Sequence, residues 1–61
     1  MEEFYAYVCG FSDWVPDDKS TEFLLAVMED AVQSYNKEFD TNHDFHEHME
    51  GIFDYWNKEN A

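Results

Sequence analysis

The chain has no arginine, one cysteine, one proline and two glycines among its 61 residues. Each scarcity excludes something. A single cysteine, Cys9, forms no intramolecular disulfide, so no covalent staple supports the fold. A lone thiol also fits a reducing compartment. Without arginine, Lys19, Lys37 and Lys58 stand alone against fifteen acids, and the formal net charge is −12. Phosphate binding rests on Lys and Arg, so direct contact with nucleic acid or an anionic membrane is not expected. The longest apolar-rich run, "FLLAVM" at residues 23–28, falls far short of the roughly 20 residues that span a bilayer. Met1 is followed by Glu2 and Glu3, where a secretory leader would be basic. These features predict a soluble, cytoplasmic protein (of a host cell, if the gene is a phage's). Two glycines leave no phosphate-cradling loop, and the sequence has neither a nucleophile elbow nor a cofactor fingerprint. A non-enzyme without cofactors is expected, since acid–base work needs a pocket that shifts pKa values and so short a bundle has little room for one of about 300 Å³.

What is abundant is aromatic. Six Phe, four Tyr and two Trp make up 20% of the chain, which argues against disorder, because acidic disordered chains are poor in aromatics. The length predicts a single domain over 1–61, burying only about 60% of the surface of its unfolded chain. Pro16, in "DWVPDDKS", marks the one clear break. Before it, Phe4, Tyr7, Val8 and Phe11 recur at helical spacing, although the Tyr, Val and Phe content also suits a strand. Glu2 and Glu3 suit a helix start, and Gly10 is the expected helix end. A second helix is expected from Ser20 or Thr21 to Phe39. Leu24, Met28, Ala31, Tyr35 and Phe39 lie inward, flanked by Val27 and Val32, while Glu22, Glu29, Gln33 and Asn36 face outward. A third is expected from Thr41, where "TNHD" reads as a capping box. Its apolar face is Phe45, Met49, Ile52, Phe53 and Trp56. Gly51 is its weak point, costing about 1 kcal/mol relative to Ala. The fold class is all-α: a small three-helix bundle with an aromatic core.

Several segments resemble the YozE family of small helical proteins with a SAM-like fold. "FYAYV" resembles that family's opening Phe-Tyr-x-Tyr-aliphatic segment. "DKSTEF", followed by "MED", resembles its polar turn, its Glu-Phe helix start and the acidic pair seven residues on. "DFHEH" resembles its Asp-aromatic-His-Glu segment. The resemblance runs in pieces over residues 4–48 and implies a compact all-α bundle without assigned catalytic residues. The chain departs from the family in being shorter, in lacking a Pro-Lys pair after the second helix, and in having lost the family's basic residues.

"NHDFHEHMEGIFDYW", residues 42–56, gathers three histidines and four acids. On a continuous helix His43, His46 and Glu50 would form a stripe, with His48 turned about 140° from His43 at 100° per residue. Zinc needs three or four converging ligands, and the H-E-x-x-H spacing is missing, so no metal site is expected. Cys9, among apolar neighbours, reads as a buried inert thiol. The acids carry the functional reading. Asp40, Asp44, Glu47, Glu50 and Asp54 lie on one side of the third helix and the turn before it, and Glu22 and Glu29 offer a second row. Solvated faces usually mix both signs, and this one hardly does. The expected function is a small acidic binding protein that docks on a basic, nucleic-acid-binding surface of another protein, as a DNA-mimic inhibitor or regulator would, with Trp14, Tyr55 or Trp56 as exposed anchors. The alternative is a SAM-like self-association or protein-interaction module whose acidity is incidental, which leaves a homodimer open.

Overall fold

Three helices follow one another along the chain: α1 (Glu2–Ser12), α2 (Thr21–Phe39) and α3 (Phe45–Glu59). They are seen in a computed structural model that describes residues 2–16 and 18–59; Asp17, in the predicted break, lies outside the described residues. The order and class match the sequence expectation, and the first segment is helix rather than strand. α1 packs against both other helices, while α2 and α3 touch each other least.

α1 starts with Glu2 and Glu3 in its first turn, where carboxylates favour the positive end of the helix dipole. Its buried stripe is Phe4, Val8, Cys9 and Ser12, rotated from the predicted Phe4, Tyr7, Val8, Phe11. The rotation follows from α1 being covered by two helices, so the line between them is the one buried. Phe11 is left 41% exposed. Buried Ser12 donates its hydroxyl to the Val8 carbonyl at 2.9 Å, which satisfies a group that would otherwise be costly inside. Gly10 does not end the helix. Its φ is not positive, and the chain leaves α1 through i→i+3 bonds from Asp13 N–H to the Gly10 carbonyl and from Val15 N–H to the Ser12 carbonyl.

Ser20, one of the two expected starts of α2, is its N-terminal cap. Ser20 accepts a bond from the Phe23 N–H at 3.2 Å. At the other end Asp40 takes the left-handed conformation, φ 53°, which Asp tolerates better than most non-glycine residues. Val27, Met28, Ala31 and Val32 are buried. Phe39, expected on the inner face, is 52% exposed; in the last turn its ring meets Tyr7 and Tyr35 at the surface instead of entering the core.

The turn into α3 overturns two expectations. Asn36, predicted to face solvent, is half-buried and organises the turn. Its amide donates to the His43 carbonyl at 2.8 Å, and its carbonyl accepts from the His43 N–H at 2.8 Å and the Thr41 hydroxyl at 2.9 Å. Thr41 thus lies within the turn, four residues before the start of α3 at Phe45, and is not its cap.

In α3, Phe45 and Ile52 are buried, and Phe53 and Trp56 pack half-buried against the core. Met49, predicted inward, is 38% exposed. Gly51 is where α3 meets the side chain of Tyr5: a Cβ there would lie 2.5 Å from the Tyr5 hydroxyl oxygen and 2.7 Å from Cζ. The core itself joins Phe4, Val8 and Cys9 of α1 to Met28, Ala31 and Val32 of α2 and Phe45 and Ile52 of α3.

Candidate functional site

The seven acids singled out by sequence are all exposed. On α3, Glu47, Glu50 and Asp54 fall at i, i+3 and i+7, neighbouring positions on one helix face. The stripe spans about 10 Å at 1.5 Å rise per residue. Burial of Phe45 and Ile52 turns it outward. Asp40 and Asp44 bracket residues 41–43, so they stand at the two ends of the Asn36-organised turn. Asp44 precedes α3 instead of lying within it. Glu22 and Glu29 form a separate stripe on α2, Glu22 in its first turn. Among the described residues no hydrogen bond or ion pair links the α2 stripe to the α3 stripe, and none ties any of the seven to a lysine.

The histidines are arranged differently from the helical reading. His43 precedes α3, so helix arithmetic does not govern its direction. Its ring stacks on Phe4 with centroids 4.4 Å apart and meets the His48 ring edge-on at 5.3 Å. His48 also meets Phe4 at 5.3 Å. The two histidines expected to diverge therefore share one aromatic cluster, while His46 is exposed. Among the described residues no group of three or more His, Cys, Asp or Glu is placed to hold a metal ion.

Cys9 is 4% exposed, and its thiol lies 3.6 Å from the Ile52 carbonyl. Burial, helped by the Asp13 and Glu59 carboxylates, pushes its pKa up to about 11. That keeps the thiol protonated and poorly nucleophilic near neutrality. A cleft of about 120 Å³ borders it between α1 and α3. A larger one of about 380 Å³, lined by Glu2, Tyr5, Tyr55, Lys58 and Glu59, exceeds what the chain length led one to expect.

Sequence reasoning missed a surface of aromatics. Phe11 and Phe39 are exposed, and the rings of Tyr7 and Tyr35 join them. Tyr7 lies 6.3 Å from Phe11, 6.1 Å from Phe39 and 5.2 Å from Tyr35, with Tyr35 4.6 Å from Phe39. The Tyr7 hydroxyl donates to Glu38 at 3.1 Å. Its pKa is raised by desolvation, then by that bond and the Glu38 charge. Elsewhere Trp14 is 61% exposed and meets Phe23 edge-on at 5.8 Å, as an exposed anchor would. Tyr55 and Trp56, its fellow candidates, are half-buried against the core. Searches against family models, characterised proteins and solved structures find no match to this chain.

Proposed function

We propose that the protein is a non-enzymatic acidic binding module that docks the carboxylates of α3 on a basic, nucleic-acid-binding surface of another protein. The observation that carries this reading is the exposed stripe Glu47, Glu50 and Asp54, with Asp40 and Asp44 at the adjoining turn, in a chain of net charge −12. Three charges in about 10 Å of α3 are somewhat sparser than the phosphates of one DNA strand, one per about 3.4 Å. Such a field steers a positive partner into encounter and rejects polyanions. Glu22 and Glu29 belong to the same proposal as a second row on α2. The YozE-like resemblance, with the three-helix fold, supports the other reading, a protein-interaction module with incidental charge. Exposed Trp14, beside Phe23, is an apolar anchor that either reading can use.

The experiment is capture of partners from host lysate at low salt, eluted by a salt gradient, with wild-type protein and a variant carrying Glu47→Lys, Glu50→Lys and Asp54→Lys. The acidic-docking reading expects a basic nucleic-acid-binding protein that elutes sharply with salt, is displaced by DNA or RNA fragments, and is lost with the triple variant. Like-charge contacts across an interface cost several kcal/mol, so the loss should be near complete. A partner that resists salt and binds the triple variant equally well would transfer the case to the second reading.

A further inference from the structure

We infer that the aromatic surface formed by Tyr7 and Phe11 of α1 with Tyr35 and Phe39 of α2 is a docking site for arginine side chains of a cationic protein segment. The inference concerns a different surface from the α3 stripe and stands without it. Phe11 and Phe39 are 41% and 52% exposed, with half-buried Tyr7 and Tyr35 between them, and a contiguous apolar patch marks an interaction site more often than isolated exposed residues do. The four rings are in sequential contact, at centroid distances of 4.6–6.3 Å.

Charge selects the occupant. Glu38 is held at the edge of the surface by the Tyr7 hydroxyl, a bond that engages one of its two oxygens. Glu3 lies one helical turn before Tyr7 on α1, on the same side. Ring faces beside carboxylates are what a guanidinium recognises: it stacks on aromatic planes and pairs with carboxylate through its planar fork, which an ammonium does not do. A second copy of the chain is a poor occupant, since it has no arginine and the same net charge of −12. Nucleic acid and anionic lipid are repelled by the same field.

Binding of short peptides alternating arginine with glycine, and of matched lysine–glycine peptides, tests this at physiological ionic strength, where loose surface attraction is screened. Titrations followed by NMR shifts of the whole protein should show the arginine peptide binding about fivefold or more tightly than the lysine peptide. Largest shifts are expected at Tyr7, Phe11, Tyr35 and Phe39. Phe11→Ser with Phe39→Ser should bring the ratio close to one. Both residues are exposed, so the fold should survive, as circular dichroism will show; Glu38→Gln, which keeps size and shape, should lower the ratio if the double variant does not fold. The α3 triple reversal should weaken both peptides together and leave the ratio, which separates failure of the patch from failure of the α3 reading. Equal affinity for the two peptides, or a ratio unmoved by the patch variants, overturns the inference. So does tighter binding of an uncharged apolar peptide, or a dimer in sedimentation that the Phe11 and Phe39 variants dissolve.

Discussion

At the scale of single residues, Gly51 and Asn36 show what a periodic pattern cannot carry. Gly51 looked like a defect because a helix interior prefers Ala by about 1 kcal/mol. Its use appears only when α1 is laid against α3 and the Tyr5 ring occupies the space of the missing Cβ. Gly51→Ala should therefore stabilise little or even destabilise the wild-type protein, and should add about 1 kcal/mol in a Tyr5→Ala background. Denaturant midpoints of the four proteins in this cycle measure it, and an equal effect in both backgrounds would show that Tyr5 does not compete for the space. Asn36 falls opposite the apolar stripe of α2, where the period assigns it to solvent; nothing local says that the chain folds back to be held by it. Cys9, by contrast, was legible from its apolar neighbours. Its pKa, raised from 9.0 to about 11, sets the sign of a pH effect. Between those values the unfolded chain has lost a proton that the folded one keeps, so stability is fully present below about pH 9 and falls as pH rises. The tyrosines with raised pKa, Tyr7 and Tyr55, start from 10.0, so they begin to add to the loss as pH approaches 10. Urea midpoints should fall from about pH 8 to about pH 9.3 for wild type and stay nearly level for Cys9→Ala; parallel curves would exclude the thiol as the cause.

At the scale of elements, the three helices were readable because each repeats apolar residues at helical spacing and two have recognisable starts. What was misread lies at ends and edges. Thr41 reads as a cap, but its hydroxyl donates to the Asn36 side chain in a turn that ends before α3 begins at Phe45. Phe11, Phe39 and Met49 satisfied the period and are still exposed, because a wheel assigns a face without knowing how far the next helix reaches. The distinction has a mechanical consequence. Ile52 is fully buried, so Ile52→Ala should cost about 2–5 kcal/mol, close to the whole stability of about 3–5 kcal/mol expected of so small a domain. Met49→Ala on the same helix should cost less than about 1 kcal/mol. Thermal melts should find the first unfolded or nearly so and the second close to wild type. An Ile52→Ala protein as stable as the Met49→Ala one would mean that the core lies elsewhere on α3.

At the scale of the whole molecule, charge is the dominant fact and was fully visible in the composition; the aromatic surface was not, since aromatics read by period are counted as core. Twelve net negative charges, with no lysine paired to the candidate acids among the described residues, repel one another and work against the compact state. Salt should relieve this, because the Debye length falls from about 10 Å at 0.1 M to about 3 Å at 1 M. The melting temperature should therefore rise with NaCl. Salt can also strengthen apolar burial by exclusion from the protein surface, and that effect does not depend on net charge. The variant with Glu47, Glu50 and Asp54 all changed to Lys separates the two. Each substitution removes a negative charge and adds a positive one at an exposed position, so the variant has half the formal net charge and an undisturbed core. If repulsion limits stability, it should melt higher than wild type at low salt and gain less from added NaCl, the two curves converging near 1 M. If both proteins gain equally, the rise reflects apolar burial, and the surplus of acids costs the fold little. Convergence would instead mean that the acidic surface is maintained against a measurable stability cost, as expected of charge held in place for a partner.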